Sequence, residues 1–153
     1  MDCMKKFYDT HSAEAIVLSC IDYRFIDNMI EFLEKSDISE KYDVTALAGA
    51  SLAYNQSKYE YWNKTFIDQL KLAIDLHHIK KIIVFDHMDC GAYRIFYPKL
   101  NELSEKKRNR LEKKLHKKNI RKFFKKMGKL FPQLDQEGYL ILYDGRIKKI
   151  RLN

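Results

Sequence analysis

Ala13-Glu14-Ala15-Ile16-Val17-Leu18-Ser19 runs without a break into Cys20-Ile21-Asp22-Tyr23-Arg24, and this junction decides the fold. The apolar half carries β-branched residues and is too short for a stable helix, so it reads as a buried strand. A second run of the same kind, Lys80-Lys81-Ile82-Ile83-Val84-Phe85, ends against Asp86-His87-Met88-Asp89-Cys90-Gly91-Ala92. Each strand therefore delivers reactive side chains at its carboxyl end.

Working outward, Ile26, Met29, Ile30 and Leu33 recur at helical spacing and predict a helix over 25–35. Residues 42–47 form the next strand, closed by Ala48-Gly49-Ala50, whose small side chains permit a tight turn or a close backbone approach. Over 64–78, Phe66, Leu70, Ala73 and His77 fall on one helical face. A third helical stretch covers 103–131, a strand covers 139–143, and Asp144-Gly145 turns the chain into 146–152. Strands alternating with helices predict an α/β fold with a mainly parallel central sheet of about four to five strands flanked by helices. No repeat or linker interrupts the chain, so 1–153 reads as a single domain. Ligands of open α/β sheets bind beyond the carboxyl ends of the strands. If the strands ending at Cys20 and before His87 are neighbours, the two motifs meet there.

At 153 residues and 46% hydrophobic content the chain can bury one core. No stretch approaches the roughly 20 apolar residues of a bilayer span, and residues 1–10 lack a signal-type apolar run, so a soluble, cytoplasmic protein with no membrane span is expected. In a reducing cytosol, Cys20 and Cys90 read better as ligands than as a bridge, and Cys3 reads as a spare thiol. The formal charge of +8 is local: 101–131 holds 13 Lys and Arg against three acids, while the rest holds 16 cations against 18 anions. That helix reads as a solvated basic face. It lacks the interleaved aromatics of a base-reading surface, so no specific nucleic-acid partner is expected.

Two soft thiolates and an imidazole suit zinc, and three protein ligands leave a fourth position for chemistry. Asp22 could orient a metal-bound water or take its proton, with Arg24 keeping the carboxylate charged and aimed. Taken singly, a strand-end Cys is more often a small buried hydrophobe. The joint occurrence of both motifs, each after a strand, favours a Zn2+ site of Cys20, His87 and Cys90. Elsewhere, His77 is expected to face the core and His78 solvent, while His11 and His116 have no company to promote them. Asp86 and Asp89 could contact the ligands, Asp89 reading as a solvated loop acid. Trp62, Tyr54, Tyr59 and Tyr61 suggest an aromatic cluster, read as packing.

In the order Cys20, Asp22, Arg24 and then His87, Cys90, Gly91, the chain resembles the β-class carbonic anhydrases, which carry C-x-D-x-R after the first strand and H-x-x-C-G after the third. The resemblance implies zinc on Cys20, His87 and Cys90, Asp22 and Arg24 as the catalytic dyad, and reversible hydration of carbon dioxide to bicarbonate. It also implies a homodimer or higher homo-oligomer, and a closed state in which Asp22 becomes a fourth ligand. The chain departs from the family at Ile21 and Tyr23, where small residues are usual, at Asp86 in place of Gly, and at Ala46-Leu47 in place of Arg-Asn. The N-terminal arm is also shorter. Two other readings follow: a zinc hydrolase of another small linear substrate, such as a carbon-sulfur compound, and a non-catalytic zinc protein acting through the basic helix 101–131.

Overall fold

A computed structural model describes residues 11–152, so Cys3 lies outside the described residues. Five strands, β1 (Ala15–Ser19), β2 (Tyr42–Ala46), β3 (Lys81–His87), β4 (Asp135–Ile141) and β5 (Ile147–Ile150), form one sheet in the order β2-β1-β3-β4-β5. All neighbours are parallel except β4 and β5, which the turn at 144–145 reverses into an antiparallel pair. The α/β architecture and mainly parallel sheet are those the sequence predicts, and β1 and β3 are neighbours, with Ser19 opposite Phe85.

Alternation along each strand sorts the core into two layers. Ile16, Leu18, Ile82, Val84 and Leu140 pack on one face against α2 (Ser51–Asn55), α3 (Glu60–His77) and α5 (Glu105–Leu130). Val17, Ile83, Phe85 and Ile141 pack on the other, where α1 (Ile26–Glu34) contributes Met29 and Leu33. Each such side chain, fully buried, contributes roughly 1.5–3 kcal/mol. Among the described residues no helix is long and apolar enough to cross a membrane.

Several boundaries differ from the sequence reading. β3 continues through His87, because Asp86 and His87 pair in register with Leu140 and Ile141. β4 starts at Asp135, its polar first half having hidden it from an apolar-run criterion. Short helices at Ser51–Asn55 and α4 (Gly91–Phe96) were too brief to show periodicity. His77 is half-buried at the end of α3 and bonds Asp43 at 2.8 Å instead of facing the core, while His78 caps that helix at φ 54°. The aromatic cluster divides: Tyr54 enters the core against Phe66 and Phe123, while Tyr59 stacks on Trp62 and Tyr61 is exposed.

Gly138 sits in β4 where α5 crosses the sheet. A Cβ there would lie 2.5 Å from Ile120 Cγ2 and 3.2 Å from Phe124 Cε2. Gly138→Ala is therefore expected to lower stability by about 1–3 kcal/mol through overpacking. A chemical-denaturation midpoint equal to that of the parent would contradict this packing.

Candidate metal centre

Cys20 follows β1, His87 ends β3, and Cys90 precedes α4, so the sheet brings all three to one edge. One ligand atom from each lies within 4.8 Å of the others, and the two Sγ atoms are 3.9 Å apart. Two thiolates at about 2.3 Å from a tetrahedral ion would stand about 3.8 Å apart, so the spacing already fits. The imidazole is poised in the same sense: His87 Nδ1 donates to the Met88 carbonyl at 2.9 Å, which leaves the lone pair on Nε2. That Nε2 is buried and has no hydrogen-bond partner. An orphaned buried nitrogen facing two thiols fits a soft divalent ion better than a packed core.

Fixed neighbours hold the cluster. The Gly49 N–H donates to Cys20 Sγ at 3.2 Å, and a Cβ at Gly49 would meet Ala92 Cβ at 3.2 Å. With φ at 87°, Gly49 supplies both the conformation and the close approach its small neighbours suggested. The close contact between the two sulfurs lowers the Cys20 thiol pKa, and the same contact together with burial pushes Cys90 up. A cation bound between the two sulfurs would displace the thiol proton that remains. The Phe25 ring stacks on His87 at 4.3 Å.

Asp22 and Arg24 flank this group. Arg24 donates from its backbone N and Nε to Asp22 Oδ1, at 3.1 and 3.0 Å, and from Nη2 to Oδ2 at 2.7 Å. These bonds hold the Asp22 carboxyl below its ordinary range. Asp22 Oδ2 remains 3.8 Å from His87 Nε2, at the rim of the cluster. Arg24 also donates from Nη1 to Asp89 Oδ2 at 2.9 Å and from Nη2 to the Asp89 carbonyl at 3.0 Å. Asp89 is held from its other side by Arg94. The expectation of a solvated Asp89 is thus corrected: its carboxylate ties Asp22 and Arg24 to the loop that carries His87 and Cys90.

His116, passed over in the sequence, lies fully buried between Asp86 and Glu112. Nδ1 is 2.8 Å from Asp86 Oδ2 and Nε2 is 3.4 Å from Glu112 Oε1. Burial alone would lower the imidazole pKa, but hydrogen bonds to the two carboxylates leave it raised. Glu112 also accepts from the Cys90 N–H at 3.0 Å. The i,i+4 spacing of Glu112 and His116 was the available signal, masked by the surrounding lysines.

A cleft beside the cluster is lined by Asp22, Phe25, Ile26, Met29, Phe85 and Ile141. Its free volume is about 10 Å³, roughly room for one water molecule.

The family model described as "Putative carbonic anhydrase" matches residues 10–151. An uncharacterized protein of Rickettsia bellii (strain RML369-C) is 35% identical over 140 residues, covering 92% of this chain and 83% of the relative. One of Rickettsia conorii (strain ATCC VR-613 / Malish 7) is 33% identical over 140 residues, covering 92% and 73%. Among solved structures, the β-carbonic anhydrase CafA of Aspergillus fumigatus superposes with a TM-score of 0.62 at 14% identity, over 94% of this chain and 77% of that one. A tetrameric β-carbonic anhydrase of Sordaria macrospora gives 0.56 at 17% identity, over 91% and 81%. At such identities these two similarities speak for the fold alone. The match to the family model spans nearly the whole chain, and on it this protein belongs to the putative carbonic anhydrase family, as a divergent member with the β-class fold.

Proposed function

We propose that the protein catalyses the zinc-dependent, reversible hydration of carbon dioxide to bicarbonate, with Cys20, His87 and Cys90 as metal ligands and Asp22 and Arg24 as the catalytic dyad. The observation that carries this reading is the convergence of two sulfurs and an unpartnered imidazole nitrogen within 4.8 Å, with an arginine-held carboxylate at the rim. Zinc bound there would supply Lewis acidity and lower the pKa of water to about 7.

The chain's own residues do the rest. Asp22 Oδ2 accepts a hydrogen bond from the attacking oxygen and fixes its direction, since both carboxylate oxygens are anchored by Arg24. Arg24 keeps Asp22 ionised and, through Asp89, keeps it in register with the ligand loop. Phe25, Met29, Phe85 and Ile141 give the cleft apolar walls, which suit an uncharged linear substrate over a hydrated ion. We place the enzyme in the cytoplasm as a homo-oligomer. Exposed Ile21 and Tyr23 beside the dyad offer apolar surface for a second copy.

Stopped-flow measurement with zinc-loaded protein is expected to show catalysed hydration; inactivity at full zinc occupancy would refute this function. Asp22→Asn should keep zinc and lose about 100-fold or more in hydration rate, the scale of a positioned proton acceptor. Parent-like turnover would remove Asp22 from the chemistry. Cys90→Ser should empty or weaken the metal site, and stoichiometric zinc in that variant, measured by elemental analysis, would contradict the ligand set.

A further inference from the structure

Asp86 stands where the resembled family places glycine, and nothing in the proposed reaction uses it. Its buried carboxylate accepts the Ser51 N–H at 3.1 Å on Oδ1, and Ser51 Oγ, Tyr93 Oη and His116 Nδ1 on Oδ2, each at 2.8 Å. The far nitrogen of His116 meets Glu112 Oε1, the same oxygen that accepts the Cys90 N–H. Asp86, Glu112 and His116 are 1%, 0% and 0% exposed, so each bond is made without competition from water.

The network touches the metal centre at two points of the main chain. Asp86 immediately precedes His87, and Glu112 holds the peptide N–H of Cys90 itself. Between them Asp89 adopts φ of 60°, a left-handed conformation that non-glycine residues rarely adopt and that the surrounding contacts must maintain. Because Glu112 and His116 are one helical turn apart, α5 presents both groups from one face. A single imidazole, in contact with a carboxylate oxygen through each of its nitrogens, links the start of the 86–90 segment to its end.

We propose that His116 is a positioning residue of the metal centre: it braces Asp86 and Glu112, and through them holds His87 and Cys90 aimed at Cys20 before any metal arrives. This rests on the ligand set proposed above. Removing a group that orients metal ligands typically costs 10–100-fold in metal affinity. A network serving only to pin α5 to the sheet would lower stability without altering the site.

The test is titration of metal-free protein with cobalt(II), read by cobalt–thiolate charge-transfer and d–d absorption, at a temperature where every variant is folded. His116→Phe is expected to weaken cobalt binding about tenfold or more and to change the d–d bands. Phe123→Leu, a core substitution on the same helix chosen to lower the thermal midpoint, should keep the parent affinity and bands. Glu112→Leu should lose affinity, and Glu112→Gln, which retains an acceptor for the Cys90 N–H, should recover most of it; this pair decides the matter if His116→Phe does not fold. Parent-like affinity and spectrum in His116→Phe would overturn the proposal, as would losses that track thermal midpoint across all variants. Absence of any cobalt–thiolate band in the parent protein would instead refute the ligand set itself, and the proposal with it.

Discussion

The parallel pairing of β1 with β3 is the constraint on which the rest depends. It places Ser19 opposite Phe85, so the residues that follow each strand emerge at one edge of the sheet. Cys20 and Cys90 are 70 positions apart in the chain, yet their sulfurs lie 3.9 Å from each other. A one-residue slip would turn every side chain of a strand to the opposite face. It would move Val17 out of the α1 layer and Ile16 and Leu18 out of the α3–α5 layer at once. Hydrophobic burial on both faces thus fixes the register, and the register sets the distance between Cys20 and the segment that carries His87 and Cys90.

Around that cluster, charge is arranged in two shells with different exposure. Asp22, Arg24, Asp89 and Arg94 form a partly solvated chain of alternating sign at the rim. Behind the sulfurs, Asp86, His116 and Glu112 form a second chain of polar contacts, all three side chains buried. Buried ion pairs of this kind are weak arguments for stability, because desolvation offsets most of the attraction. Their value here is directional: the carboxylates can bond only in the geometry that α5 and α4 impose.

The strand–helix alternation and the paired motifs were legible because they are local. Apolar runs announced β1 and β3, and the small residues at 48–50 announced the turn whose Gly49 N–H reaches Cys20. Asp22 and Arg24 were legible for the same reason, being two residues apart. His116 was not, since its partners Asp86 and Glu112 become neighbours only when α5 docks on the sheet, and since the lysines around it dominate the helix's character. Asp89 was misread as solvated because its cations, Arg24 and Arg94, come from separate elements. The polar opening of β4 likewise has no apolar signature: Asp135 and Gln136 belong to the sheet through main-chain pairing with β3.

X-ray absorption at the zinc edge, on protein purified without added metal, addresses the central claim most directly. The account predicts two sulfur neighbours at about 2.3 Å and one nitrogen at about 2.0–2.1 Å, with the remaining position filled by a light atom. A first shell of nitrogen and oxygen alone, or zinc absent from a fully reduced and folded protein, would contradict it.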